Sequence, residues 1–315
     1  MNIGLTFNLK PPGVTGDEYE EYDSEETIAA LESAIRAGGH APLRLGWGEE
    51  MLDRLRTLPV DGVFNIAEGR GGRGRESQVP AVLEMLGIPC SGAPPLAIAL
   101  TLDKALAKRV AQANGIPTPP FEVIPSGARN PGGSGRAGHT TYPLFAKPAA
   151  EGSSMGITAA SLCRNDDELN AAVERLSKYG PVLVEEFLPG DEYTVGIIGG
   201  EVIGAMQVVP RQREDHFIYS LDVKRDYLNR VEYRLANEPE VERVALDVWR
   251  AFGLRDVARV DVRRDRHGVA NFVEVNPLPG VHPVNSDLVI LGRLLGVAYD
   301  DLIGRIVGSA AARWS

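Results

Sequence analysis

ARVDVRRDRHGVANFVEVN, residues 258–276, holds two runs of alternating apolar and polar residues around the tetrapeptide DRHG. The alternation predicts two strands, and the turn-forming residues between them predict a hairpin that reverses near His267-Gly268. A simple register sets Asp261 opposite Glu274 and Arg259 opposite Asn276. Strand side chains alternate with period two, so these four share one face. Val260, Val262, Val273 and Val275 take the other, the core face. Directly opposed residues carry Cβ atoms about 5 Å apart, and two acids that close repel each other unless a cation lies between them. Two carboxylates beside an amide are a donor set for Mg²⁺. Arg259 next to them suits a developing oxyanion or a transferring phosphoryl group. The hairpin alone is equally read as a solvated face with cross-strand ion pairs. The sequel NPLPG (276–280) favours a site, because its prolines and glycine fix an irregular turn directly after the acids.

A second stretch, KPAAEGSSMG (147–156), ends a strand-like run on a lysine and continues as a glycine- and serine-rich loop. A fixed positive charge beside such a loop suits phosphate, although the P-loop order is missing. The bulk numbers agree with an enzyme. The chain has 315 residues, 43% of them hydrophobic, enough for two or three domains. Its net charge of −10 disfavours a nucleic-acid partner, which usually meets a basic surface. The basic GRGGRGR run (69–75) lacks interleaved aromatics and reads as a turn at a helix entry, its N–H groups facing a carboxylate. Two cysteines, Cys90 and Cys163, predict reduced thiols and a cytoplasmic location. No apolar run reaches the roughly 18 residues of a membrane span, and MNIGLTFNL reads as a first strand, not a leader.

Strand and helix signals alternate through the first third. Ser24 is placed to cap a helix with Glu25 and Glu26 in its first turn and Ile28, Leu31 and Ile35 at helical spacing. VDGVFNIA (60–67) reads as a buried strand, and Val79, Val82, Leu83 and Leu86 mark a helix stopped by Gly87. That order predicts a parallel sheet. A helix follows from Asp103 to Asn114, then a surface loop over 126–141 and the strand YPLFAKPA. Asn165 caps another helix, and PVLVEEF (181–187) is a strand. Gly199-Gly200 joins two apolar strands, Glu238 to Leu254 is helical, and two helices around 286–295 and 299–312 close the chain.

In this order and spacing, KPAAEGSSMG, VLVEEFLPGDEYTVG, ARVDVR and FVEVNPLPG resemble the D-alanine–D-alanine ligase family of the ATP-grasp superfamily. GIPCSG (87–92) and LDKALAKRV (102–110) extend the likeness, which runs from about Asp61 to the C-terminus. The resemblance implies an α/β chain with an α+β C-terminal part, in three domains: 1–92, 93–184 and 185–315. ATP would lie between the second and third. Lys104, Lys147 and Lys224 would contact phosphates, and Glu151 to Gly156 would form a lid, with Ser153 nearest the reacting groups and Ser154 beside it. Glu185, Glu186 and Leu188 would line adenine, and Glu192 would hold the ribose. Asp261, Glu274 and Asn276 would bind two Mg²⁺ ions, or Mn²⁺ in their place. Arg259 and the N–H of Gly280 would form the oxyanion site, and Ser286 would hold the second amino acid's carboxylate. The implied partners are small amino acids and, as often in the family, a second copy joined through the first domain.

The family's chemistry phosphorylates one carboxylate with ATP, and an amine then displaces the phosphate. None of the five histidines shows metal-ligand spacing, and no Ser–His–Asp arrangement is present. Departures cluster where the amino acids would bind. The first loop offers Glu21, Asp23, Glu25 and Glu26, none in the family's pattern, and the last two read more simply as helix-start residues. Glu68 stands where the family has histidine, and Arg225 where a tyrosine is common. These changes predict that Glu68 meets a substrate ammonium and Arg225 a carboxylate, unless both are solvated or pair with each other.

Overall fold

The computed structural model of the chain describes residues 1–14, 19–128, 141–212 and 216–314. The expected parallel sheet is present, in the order β2-β1-β3, from β1 (Asn2–Thr6), β2 (Ala41–Arg44) and β3 (Gly62–Asn65). Helices α1 (Glu25–Ala37), α2 (Gly48–Leu55) and α3 (Gln78–Met85) surround it. The Ser24 hydroxyl accepts from the N–H of Thr27, as its position before Glu25 and Glu26 predicts. Ile28, Leu31 and Ile35 bury the inner face of α1 against Ile3, Leu5 and Phe64.

Helix α4 (Pro95–Leu102) begins on a proline, whose missing N–H costs nothing at a first turn. Asp103 ends it and caps α5 (Lys104–Ala113), accepting from the N–H groups of Ala105 and Leu106. An antiparallel sheet follows in the order β4-β7-β5-β6, from β4 (Phe121–Ile124), β5 (Leu144–Pro148), β6 (Leu162–Cys163) and β7 (Val182–Glu186). Its face is covered by α6 (Asp166–Leu176), capped by Asn165 as expected. Most of the loop expected over 126–141 lies outside the described residues.

The last sheet, β10-β9-β8-β11-β12, is also antiparallel. Its strands and flanking helices are β8 (Glu192–Ile198), β9 (Glu201–Pro210), α7 (Leu221–Arg225), α8 (Tyr227–Arg230), β10 (Val231–Ala236), α9 (Pro239–Phe252), β11 (Val257–Arg264) and β12 (Ala270–Asn276). The chain closes with α10 (Asp287–Leu294) and α11 (Tyr299–Ala311). The hairpin register is the expected one, Arg259 opposite Asn276 and Asp261 opposite Glu274. One core assignment needs correction. A bulge between Asp261 and Val262 pairs Val262 with Phe272, so Phe272 takes the buried face and Val273 turns to the cleft. An extra residue in one strand shifts the alternation beyond it. Val241, Val244, Val248 and Phe252 of α9 pack on Val260, Val262 and Phe272, and each such side chain contributes about 1.5–3 kcal/mol by leaving water. Leu302, Ile303 and Ile306 of α11 join the core of the first sheet, so the two chain ends build one apolar layer.

Candidate active site

A cleft opens between the β4-β7-β5-β6 sheet and the β11–β12 hairpin. Phe145, Phe187, Leu188, Ile218 and Val273 give it an apolar end; Lys147, Lys224, Asp261 and Glu274 give it a charged one. At the boundary Glu185 is clamped: its Oε1 lies 2.6 Å from Lys147 Nζ and its Oε2 lies 2.8 Å from Lys108 Nζ. Burial alone would raise the Glu185 carboxyl, but the two ammonium groups outweigh it and hold it below its ordinary range. Lys108 has no exposed surface; burial pulls it down to about 8, against the pull of Glu185. It also donates to Thr118 Oγ1 (2.9 Å), whose hydroxyl donates to the Phe272 carbonyl, tying α5 to β12. Lys108 was missed in the sequence, although four residues after Lys104 it shares that helix face.

Lys104 starts α5 with its Nζ donating to the Glu151 carbonyl and lying 3.4 Å from Glu274 Oε2. It joins the glycine- and serine-rich loop to the hairpin acids. In that loop Ser153 (φ 47°) and Ser154 (φ 57°) both hold left-handed backbone, a conformation that costs a non-glycine residue about 1–2 kcal/mol. The loop is pinned from three sides. Ser154 Oγ donates to the Tyr219 carbonyl (3.2 Å), Arg75 donates to the Ala150 carbonyl (3.1 Å), and a Cβ on Gly152 would meet Glu21 Oε1 at 2.1 Å.

On the hairpin face, Asp261 accepts from Arg259 Nε (3.2 Å) and Nη2 (3.0 Å) and from Thr194 Oγ1 (2.9 Å). Asn276 Nδ2 lies 3.5 Å from Asp261 Oδ2. Burial raises Asp261. Burial would also raise Glu274, but Lys104, Lys147, Lys224 and Arg259 hold it well below the usual carboxylate range. Two acids and an amide, facing the lysines, form a donor set that suits a hard cation. Arg263, unpredicted, follows Arg259 and Asp261 at period two on the same face. Its Nη1 donates to Glu192 (3.1 Å) and its guanidinium stacks 5.0 Å from the Phe187 ring centroid. Glu186 is paired with Arg266.

Beyond the charged end lies a cavity of about 470 Å³, bounded by Ser153, Arg259, Gly280 and Ser286 on one side and Glu21, Asp23, Glu68 and Glu76 on the other. A Cβ on Gly280 would meet Ser286 Oγ at 2.9 Å, so only glycine brings the two this close, and Ser286 Oγ accepts from the N–H of His282. Oxygens of Glu21, Glu68 and Glu76 lie within 4.8 Å of one another. Arg75, nearly buried, sits 2.7 Å from Glu21 and 3.8 Å from Glu76. Burial, with Glu76 and Glu21 nearby, pushes Glu68 well above the carboxylate range; Glu76 and Asp23 are pushed up to about 7, chiefly by burial. Glu25 instead pairs with Arg44 and stays a helix-start residue. Arg225 lines the cavity but is paired with Glu20 (2.7 Å), not with Glu68. The GRGGRGR turn also differs from expectation: the N–H groups of Gly69 and Arg70 meet the amide oxygens of Asn8 and Gln78, not a carboxylate. Cys90 and Cys163 are unlinked.

The family description "D-ala D-ala ligase C-terminus" matches residues 110–308. A D-alanine–D-alanine ligase of Pseudomonas entomophila is 32% identical over 305 residues, 94% of this chain and 91% of that protein. A D-alanine–D-alanine ligase of Bacillus anthracis, solved in complex with ATP, superposes with a TM-score of 0.75 at 20% identity, over 100% of this chain and 98% of that one. The VanG D-Ala:D-Ser ligase of Enterococcus faecalis superposes with a TM-score of 0.71 at 21% identity, over 98% and 99% of the two chains. These likenesses fix the architecture as ATP-grasp, and the chain belongs to the D-alanine–D-alanine ligase family.

Proposed function

We propose that the protein is an ATP-dependent carboxylate–amine ligase that joins two D-alanines for cell-wall precursor synthesis in the cytoplasm. The observation that carries this reading is the adjacency of two compartments: a lysine-lined cleft with an apolar slot shares Tyr219 and Lys224 with a cavity that holds Arg259, Gly280 and Ser286. Adenine would occupy the apolar slot, with Glu185, Glu186 and Leu188 along its edge and Glu192 at the ribose. Lys104, Lys147 and Lys224 would offset phosphate charge, under a lid of Glu151 to Gly156 that excludes water. Asp261, Glu274 and Asn276 would hold Mg²⁺, which neutralises phosphate oxygens when bound.

The chain's own groups then act in two steps. Ser153 and the lysines orient the γ-phosphoryl group toward the first substrate's carboxylate, whose oxygen bonds to the γ-phosphorus as the bond to ADP breaks, giving the acyl phosphate and ADP. The second substrate's amine attacks the acyl phosphate, with its carboxylate on Ser286, while Arg259 and the Gly280 N–H stabilise the tetrahedral oxyanion and phosphate leaves. The first substrate's ammonium would rest among Glu21, Asp23, Glu68 and Glu76. Among the described residues no helix is long and apolar enough to cross a membrane.

One observation favours a second reading, a ligase for another amino acid. Four carboxyl groups, of Glu21, Asp23, Glu68 and Glu76, line the ammonium end of the cavity, more than a single ammonium can contact, and burial disfavours the charged form of three of them until cations lie beside them. A diamino acid supplies the second positive group. ATP-dependent phosphate release across D- and L-amino acids, with product masses, separates the readings. D-alanyl-D-alanine supports the first, another dipeptide the second, and no amino-acid-dependent release removes both.

A further inference from the structure

We infer that Asp287 is a positioning residue for Arg259, holding its guanidinium across the cavity during amide formation; the inference rests on the ligase reading. Arg259 presents one edge, Nε and Nη2, to Asp261 on its own strand. Its remaining nitrogen, Nη1, lies 3.2 Å from Asp287 Oδ2. Asp287 comes from the first turn of α10, directly after Ser286, and is itself buried. Its other oxygen accepts from the Tyr219 hydroxyl (3.1 Å), which is 2.5 Å from the Tyr233 hydroxyl.

A flat guanidinium on a flexible stem keeps its orientation only when it is held from more than one direction. Asp261 alone would draw Arg259 along its own strand toward the phosphate side. Asp287 pulls from a different element, on the Ser286 side, and both lie on the cavity wall with Gly280. Asp287 is fixed in turn: α10 supplies its backbone, and Tyr219 takes the oxygen that Arg259 leaves free. Any contact with Asp261 that competes with Arg259 leaves Asp287, at 3.2 Å, as the nearer remaining anchor, because Glu274 Oε1 lies 3.9 Å from Nη2 and belongs to the same acid face as Asp261. A buried acid beside the second amino acid's carboxylate is unfavourable in itself, so its arrangement calls for such a role.

The test uses the full chain with Asp287→Asn and Tyr219→Phe. Asparagine keeps the shape and loses the charge. It should lower kcat for dipeptide formation by about 10- to 100-fold while leaving the KM for ATP unchanged, as expected for a group acting through its neighbour. Tyr219→Phe, which leaves the carboxylate in place, should cost less. A purely structural acid would lower thermal stability and leave kcat of the folded enzyme within about twofold of the parent, and that result overturns the inference. Crystals of Asp287→Asn read the same point without turnover: Arg259 should swing toward Asp261, and an unmoved guanidinium also overturns the inference. If the parent enzyme releases no ADP with any amino acid, the ligase reading fails, while the crystals still decide whether Asp287 holds Arg259.

Discussion

Lys104 and Glu274 meet across the cleft, with Nζ 3.4 Å from Oε2, one on the first turn of α5 and the other on the last sheet's edge strand. The pair places a buried cation against a proposed metal ligand while its ammonium also holds the 151–156 loop through the Glu151 carbonyl. Substituting Lys104→Met should weaken ATP binding by about 10- to 100-fold, the worth of a hydrogen bond to a charged group. Calorimetric titration with ATP and Mg²⁺ measures it, and unchanged affinity removes Lys104 from the phosphate site.

The bulge in β12 separates two neighbours by role. Phe272→Ala should destabilise the fold by about 3–5 kcal/mol, because a buried ring is lost from beneath α9. Val273→Ala should cost under about 1 kcal/mol and instead raise the KM for ATP a few-fold, since its side chain faces the cleft. Urea denaturation and steady-state kinetics on both variants check the assignment. Reversed effects would restore the uninterrupted alternation.

Glu76 and Asp23 titrate near pH 7 in the folded chain, against ordinary values of 4.5 and 3.8. Both are raised, so the folded state binds protons more tightly than the unfolded one. Their stabilising contribution is complete below about pH 4 and is lost as pH rises toward 7. Thermal melts of the ligand-free protein should therefore show a Tm that falls between about pH 4 and pH 7, and Glu76→Gln should flatten that slope. A parallel slope in the variant would show that Glu76 is not its source.

Glu68 lines the same cavity, and no hydrogen bond or ion pair holds it among the described residues. Glu68→Gln keeps the shape and removes the carboxyl, whose proton burial holds until a cation lies beside it. It should raise the first substrate's KM about tenfold or more and leave ATP binding alone, because a charge-assisted contact to an ammonium is lost. An unchanged KM would assign the ammonium to Glu21 or Asp23.

The hairpin was legible because strict alternation fixes a register, and the caps at Ser24, Asp103 and Asn165 because short oxygen-bearing side chains precede helical spacing. The bulge at Val273 was not, since an inserted residue leaves no mark in an alternating apolar run. Lys108 and Arg75 escaped for a different reason. Lysine and arginine are mostly surface residues, and only the acids brought in from distant segments, Glu185 and Glu21, make their burial tolerable. Asp287 was hidden in the same way, since its partner Arg259 lies on another element. The nucleotide cleft was readable from motifs, while the amino-acid cavity depends on a first loop whose acids matched no pattern.

The apolar layer shared by Ile3, Leu5 and Phe64 with Leu302, Ile303 and Ile306 also has a temporal meaning. During synthesis the first sheet leaves the ribosome long before the helix that completes its core. Until then its uncovered face is exposed to chaperones and to aggregation. Nonsense mutations ahead of the codons for Leu302, Ile303 and Ile306 should therefore damage the first sheet, with loss of yield preceding any loss of chemistry.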